Sequence, residues 1–199
     1  MLRRFAVLSV VLALVVCTQA QRKPKGVEQE QTSFGADSPP DDKAMKKPVT
    51  LPETALRALT RVLDHRDLDC IKRNEGLTAE QIPADWFVAS EIRLNGKKDI
   101  GLVAVPAAMS DATPRPSGNA CFIGAHIVSF WILRKTADGY GSVFTIRADA
   151  MHILKSKTNG YRDVQAFFLT GAGQYITTVT FHFDGRMYQK FKSETVEQK

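Results

Sequence analysis

The sequence predicts a mainly β (α+β) fold: an antiparallel meander or sandwich of about eight strands with one N-terminal amphipathic helix packed on it. Three observations carry that expectation. From Trp86 onward, short apolar runs alternate with turn residues; two Asp-Gly pairs fall between such runs; and a single stretch of helical periodicity precedes them all.

In chain order, Arg3 and Arg4 stand before the apolar run Phe5 to Val16, and Thr18-Gln19-Ala20 offers small residues to a signal peptidase. Residues 1–20 are therefore expected to be a signal peptide cleaved after Ala20, and the mature chain to be secreted or periplasmic. The apolar run falls short of the roughly 20 residues that span a bilayer, so no transmembrane span is expected. Val16 stands before Cys17 where a lipoprotein signal wants a small residue, which argues against lipidation. Losing the leader removes two arginines from a chain of formal charge +6, leaving a mildly basic +4.

Residues 21–49 are polar and proline-bearing, and read as a disordered linker. Residues 50–192 read as one helix-plus-β domain and 193–199 as a disordered tail. Thr50 and Glu53 stand at capping-box spacing ahead of Leu56, Leu59, Val62 and Leu63, which predicts a helix over about 52–64 whose apolar stripe rests on the strands downstream. Thr78 is placed to cap one helical turn that Pro83 ends. Strands are predicted over 86–94, 100–105, 126–133, 140–147, 151–155, 164–169, 175–183 and 186–192. The strand 126–133 is apolar on both faces and should be central. In 175–183 the odd-numbered residues form a core face, and Ile176, Thr178, Thr180 and His182 a partly wet one. Asp138-Gly139 and Asp184-Gly185 are each expected in tight hairpins with positive φ at both central residues. Cys70 and Cys121 are expected to pair, closing a loop whose cross-link would contribute about 4 kcal/mol in the chain-entropy picture.

Asn95-Gly96-Lys97-Lys98-Asp99-Ile100 returns as Asn159-Gly160-Tyr161-Arg162-Asp163-Val164, each copy followed by an aromatic strand and an Asp-Gly turn. This suggests an internal repeat over about 86–147 and 151–192. The unit resembles the loop and following strand of FG-GAP (VCBS) repeats, whose acidic loops bind calcium. The resemblance implies a strand-turn-strand unit and an extracytoplasmic setting. Laid on that pattern, the ligand positions hold Glu91, Arg93, Asn95 and Asp99 in one copy and Lys155, Lys157, Asn159 and Asp163 in the other. Calcium takes six to eight oxygens, so a cation among the ligands opposes it. Turn geometry is expected without a metal, with Asp99 and Asp163 accepting from backbone amides of their own turns. The chain also resembles a class of short exported bacterial β-domain proteins of unknown role, a likeness that transfers no activity.

No nucleophile elbow, P-loop or dinucleotide fingerprint occurs, and His65, His126, His152 and His182 lack metal-binding spacing. No catalytic residue, cofactor or metal is expected, and cations spread along strands argue against nucleic acid. The long connection 106–125 is the candidate binding loop, with Arg115, Asn119 and Phe122 as its contact residues. The expected function is non-catalytic binding of an envelope or extracellular protein or glycan. The alternative is an exported hydrolase with catalytic residues dispersed in sequence.

Overall fold

The computed structural model describes residues 30–35, 45, 48–96, 99–107 and 117–198, the side chains of 117–119 excepted. The expected leader 1–20, Arg115 and the Asn119 side chain lie outside those residues. The elements are β1 (Ser33–Gly35), β2 (Val49–Thr50), α1 (Glu53–Thr60), α2 (His65–Glu75), β3 (Phe87–Arg93), β4 (Ile100–Pro106), β5 (Val128–Thr136), β6 (Gly139–Ala148), β7 (Ala150–Thr158), β8 (Tyr161–Thr170), β9 (Tyr175–Phe183) and β10 (Tyr188–Glu197). They form two antiparallel five-stranded sheets, ordered β2-β3-β4-β5-β6 and β1-β7-β8-β9-β10. The fold is mainly β, with β3 to β6 one meander and β7 to β10 a second. Asp149 alone separates β6 from β7, so the chain changes sheet at a one-residue corner.

Two apolar clusters hold these layers. One lies between the sheets and joins Val103, Phe130 and Ile132 to Met151, Val164 and Ala166. The other lies on the far side of the first sheet, where Leu59 and Ile71 of the helices meet Phe87, Leu102 and Trp131. β5 serves both, since alternate side chains leave a strand on opposite sides, and its residues Val128 to Leu133 are all buried. Full burial of each large side chain stabilises by about 1.5–3 kcal/mol, so a strand buried on both faces carries a large share of the core.

Helix α1 starts at Pro52, which makes no side-chain cap; Thr50, expected to cap it, belongs to β2. Its buried Ala55, Ala58 and Leu59 face the first sheet. Gly139 at the tip of β6 permits the contact: with φ +125 it has no Cβ, and one placed there would stand 2.7 Å from Thr54 Cβ. Helix α2 is an element the sequence reading lacks. Asp64 caps it by accepting from the Arg66 and Asp67 amides at 2.8 and 2.9 Å, and Gly76 at φ +70 ends it. Thr78 and Gln81 form the reciprocal capping box of the short turn before Pro83.

The ends of the chain depart from expectation. Within the stretch read as a linker, Ser33–Gly35 pairs with β7, and Phe34 and Met45 are buried between the sheets. Glu30 adds an ionic attachment, its Oε2 accepting from Arg162 Nη1 at 2.7 Å. The same guanidinium donates to the Leu154 and Ile153 carbonyls at 2.6 and 3.0 Å, where the β7–β8 register breaks and ladder bonds are missing. The stretch read as a tail continues β10 to Glu197, paired with β9 on both sides of a bulge at Phe191.

Both Asp-Gly hairpins form, with other turns than expected. Thr136 pairs with Gly139, leaving Ala137-Asp138 as the loop, and Gly139 lies on the strand. Phe183 pairs with Tyr188 across four residues, and Asp184 Oδ1 accepts from the Arg186 and Met187 amides at 2.8 Å each. That is an Asx turn with positive φ at Gly185 and not at Asp184. The two-residue turn with positive φ at both positions is Asn159-Gly160, at φ +52 and +80.

Candidate functional site

Both helices lie against the first sheet, and the outer side of the second sheet is partly open to solvent. Directly paired residues share a side, so the register defines its rows. Leu169, Ile176 and Val196 form one; Phe167, Thr178 and Glu194 the next; His152, Gln165, Thr180 and Lys192 a third. The rows grade from apolar to polar. Val196 is 59% exposed, Phe191 is 63% exposed beside the third row, and Phe167, Leu169 and Ile176 are half-buried. Phe191 stacks on His182 at 4.0 Å and His152 packs on Phe167 at 4.5 Å. Burial holds the His152 imidazole below its ordinary titration range. On this wetter face of β9, Thr180 is nonetheless buried and takes a bond from Gln165 at 3.2 Å. On the opposite face Val179 and Phe183 are buried as expected, whereas Tyr175 at the strand's end is 40% exposed.

At the Leu169 end of this surface lies a cleft of about 440 Å³, lined among the described residues by His126, Leu169 and the turn Thr170 to Gly173. A narrow turn delivers the histidine: Ile123 bridges to Val128, and the Gly124 amide donates to the Ile127 carbonyl at 2.7 Å. Opposite it, the Asp149 side chain at the sheet-to-sheet corner is 3% exposed. Asp149 Oδ2 accepts from the Leu169 amide at 2.8 Å, and Oδ1 is bonded to His126 Nδ1. A buried carboxylate requires a donor there, so Nδ1 carries a proton and the ring's orientation is fixed. The side chain of His126 is 46% exposed. Across the cleft, Gly171, Ala172 and Gly173 all have left-handed φ, +59, +55 and +89. For Ala172 that conformation costs about 1–2 kcal/mol. Chemically the pair is an imidazole held in place by a buried carboxylate beside a largely apolar wall.

The repeated loops meet in space. The Arg162 amide donates to the Leu94 carbonyl at 2.9 Å, and the Asn95 side chain lies against Gly160. Asp99 accepts from Arg134 Nε at 3.1 Å and from the Tyr161 hydroxyl, both on other strands. Burial, and then the Asp99 carboxylate, push the Tyr161 phenol up. Among the described residues, bonds from a turn's own amides are seen at Asp184, while the bonds to Asp99 come from other strands. Asp163 is buried; its Oδ1 has no hydrogen-bond partner among the described residues, with His182 Nε2 at 3.9 Å. Gly96 has left-handed φ, +63, as does Gly160.

Cys70 and Cys121 form the expected disulfide, Cα atoms 5.7 Å apart, which ties α2 to the 3₁₀ stretch Ser117–Phe122. Phe122, expected as a contact residue of the binding loop, is instead fully buried, its ring 5.1 Å from Phe87 and 5.5 Å from Trp131. Anchored beside the cystine, it has no surface to offer a partner. No family model matches the chain, and no curated protein or solved structure matches it.

The sequence reading reached neither the cleft nor its pair. His126 belongs to no spaced motif, and its partner lies 23 residues away. The available signal was Asp149 itself, a lone carboxylate within a run otherwise patterned as continuous strand.

Proposed function

We propose that the mature chain is an exported, non-catalytic binding protein for an envelope or extracellular protein or glycan, and that the outer side of the second sheet is its binding surface. The observation that carries the reading is the row Leu169, Ile176 and Val196 with Phe167 in the next row, on a face against which neither helix packs and on which Phe191 stands exposed further along, against His182. Contiguous exposed apolar surface rimmed by polar residues is a recurrent mark of interaction sites. Export rests on the leader-like residues 1–20 and on a cystine, which persists in oxidising compartments.

The test is affinity capture from extracytoplasmic fractions with the mature protein, the double variant Ile176→Glu/Phe191→Asp, and Arg115→Ala in the long connection. Loss of capture in the open-face variant with retention in Arg115→Ala is the expected result. Equal capture by the open-face variant would remove this surface from the reading.

A second reading, an exported hydrolase, is favoured by the His126–Asp149 pair, the arrangement in which a carboxylate orients a general base. Turnover of an ester or glycoside panel that vanishes in His126→Ala would select it.

A further inference from the structure

We propose that two copies of the chain join edge to edge through β10, their strands antiparallel and centred on Ser193, so that Lys192 of each copy faces Glu194 of the other. The inference concerns the edge of the second sheet and not its open side, and it does not rest on the capture of a partner there.

Three observations lead to this pairing. First, β10 ends its sheet, and Gln189 to Glu197 are all exposed. Among the described residues it is the long bare edge: β1 and β2 have three and two residues, and α1 packs against β6 at the end of the first sheet. Second, the strand turns hydrogen-bonding groups outward. The Gln198 amide donates to the Gln174 carbonyl at 2.7 Å, and bonded positions alternate along an antiparallel ladder. Val196, Glu194 and Lys192 therefore bond towards β9, while Ser193, Thr195 and Glu197 direct N–H and C=O away from it. Such a row is a template for another strand.

Third, charge selects the occupant and the register. Opposed residues share a side of the sheet, so a two-fold antiparallel pair sets one residue against itself at the axis. Centring on Lys192 or Glu194 opposes like charges, which destabilises, and centring on Thr195 or Val196 leaves Lys192 without an acid opposite. Ser193 alone among residues 192–196 sets Lys192 against Glu194 twice. Lys192 Nζ and Glu194 Oε2 already pair within one strand at 3.2 Å, so two copies complete a quartet of alternating sign. Lys190 and Glu197 lie on the other side of the sheet, registered with Phe181 and Tyr175, and approach diagonally across the axis. A strand basic at its start and acidic at its end is thus complementary to its own antiparallel copy. The arrangement is isologous and closes at two copies. Its axis runs normal to the sheet, so both open sides face the same way.

The test is sedimentation equilibrium of the mature, oxidised protein over a concentration series, with Lys192→Glu, Glu194→Lys, the double swap Lys192→Glu/Glu194→Lys, and Ser193→Pro. The parent is expected to pass from monomer to dimer and no further. Each single swap opposes like charges and should raise the dimer dissociation constant about tenfold. The double swap, and an equimolar mixture of the two single swaps, restore unlike pairs and should dimerise as the parent does. Ser193→Pro removes an amide that faces away from β9, and should abolish the dimer with the circular dichroism of the fold kept. A parent monomeric up to about 1 mM would overturn the proposal. So would growth to larger polymers, single swaps that dimerise like the parent, a mixture no tighter than its components, or a dimer that survives Ser193→Pro.

Discussion

The two meanders share a plan and differ in what lies outside them. In each, an Asn-Gly turn joins the first two strands and an Asp-Gly sequence the last two. Yet the first sheet is covered on both sides, while in the second β10 exposes every residue but Tyr188. The difference comes from the chain ahead of the strands. α1 seats on β5 and β6, while the cystine and the ion pair from Arg147 Nη1 to Asp67 Oδ1 at 3.1 Å hold α2 on the same side. Strand pattern alone therefore leaves outer-face burial open; a helical layer with its own attachments decides it, and leaves one sheet as scaffold and the other as surface.

Substitutions on the two outer faces should break that contrast first if it is wrong. Trp131→Ala, beneath the helices, is expected to cost about 3–5 kcal/mol in urea unfolding, whereas Phe191→Ala on the open face should stay within about 0.5 kcal/mol. Comparable losses at both positions would mean that the second sheet is not the bare one. Next in size, the double substitution Cys70→Ala/Cys121→Ala should cost about 2–4 kcal/mol, with hydrogen exchange rising in α2 before the sheets. Exchange rising everywhere alike would show that the bridge is no local clamp.

Two carboxylates at the start of α2 sharpen the contrast through pH. Bonds from the Asp67 amide and then from Arg66 hold Asp64 below the usual carboxylate range, so its stabilisation is present above the unfolded pKa and is lost as pH falls through the folded one. Asp64→Ala should thus cost about 1 kcal/mol near neutrality, and unfolding curves of variant and parent should converge in acid. Asp67 behaves oppositely. Burial, then the Asp64 charge, raise it against the pull of Arg147, so its favourable contribution is full below the unfolded pKa and declines as pH rises through the folded value. Asp67→Asn, neutral throughout, should give the smallest effect, a flattened stability profile above the carboxylate range; an unchanged pH slope would assign the burial cost elsewhere.

Much of the architecture was legible where pattern and environment coincide. The two-sided apolarity of β5 announced a central strand, and the cystine followed from two cysteines in a chain with a leader-like start. Helix α2 escaped because its apolar content is thin: among its inward residues Ile71 is buried and Asp67 is an acid, so no hydrophobic period stood out between the Asp64 cap and the Gly76 stop. β1 escaped because one aromatic, Phe34, does its anchoring amid polar residues. Turn identity misled because Asp-Gly suits several geometries: close approach to Thr54 placed Gly139 on the strand, and the Asp184 carboxylate favoured an Asx turn. The His126–Asp149 pair depends on a corner between sheets, a relation that no local spacing encodes.

The Arg162 guanidinium has a consequence for how far the amino terminus can be shortened. Its side chain is 11% exposed, and Glu30 is the carboxylate that neutralises it. Loss of Glu30 to a protease strands a positive charge against two carbonyls, a cost on the scale of a broken buried ion pair. The stable body thus includes an acid three positions ahead of the first strand and does not start at the strand itself.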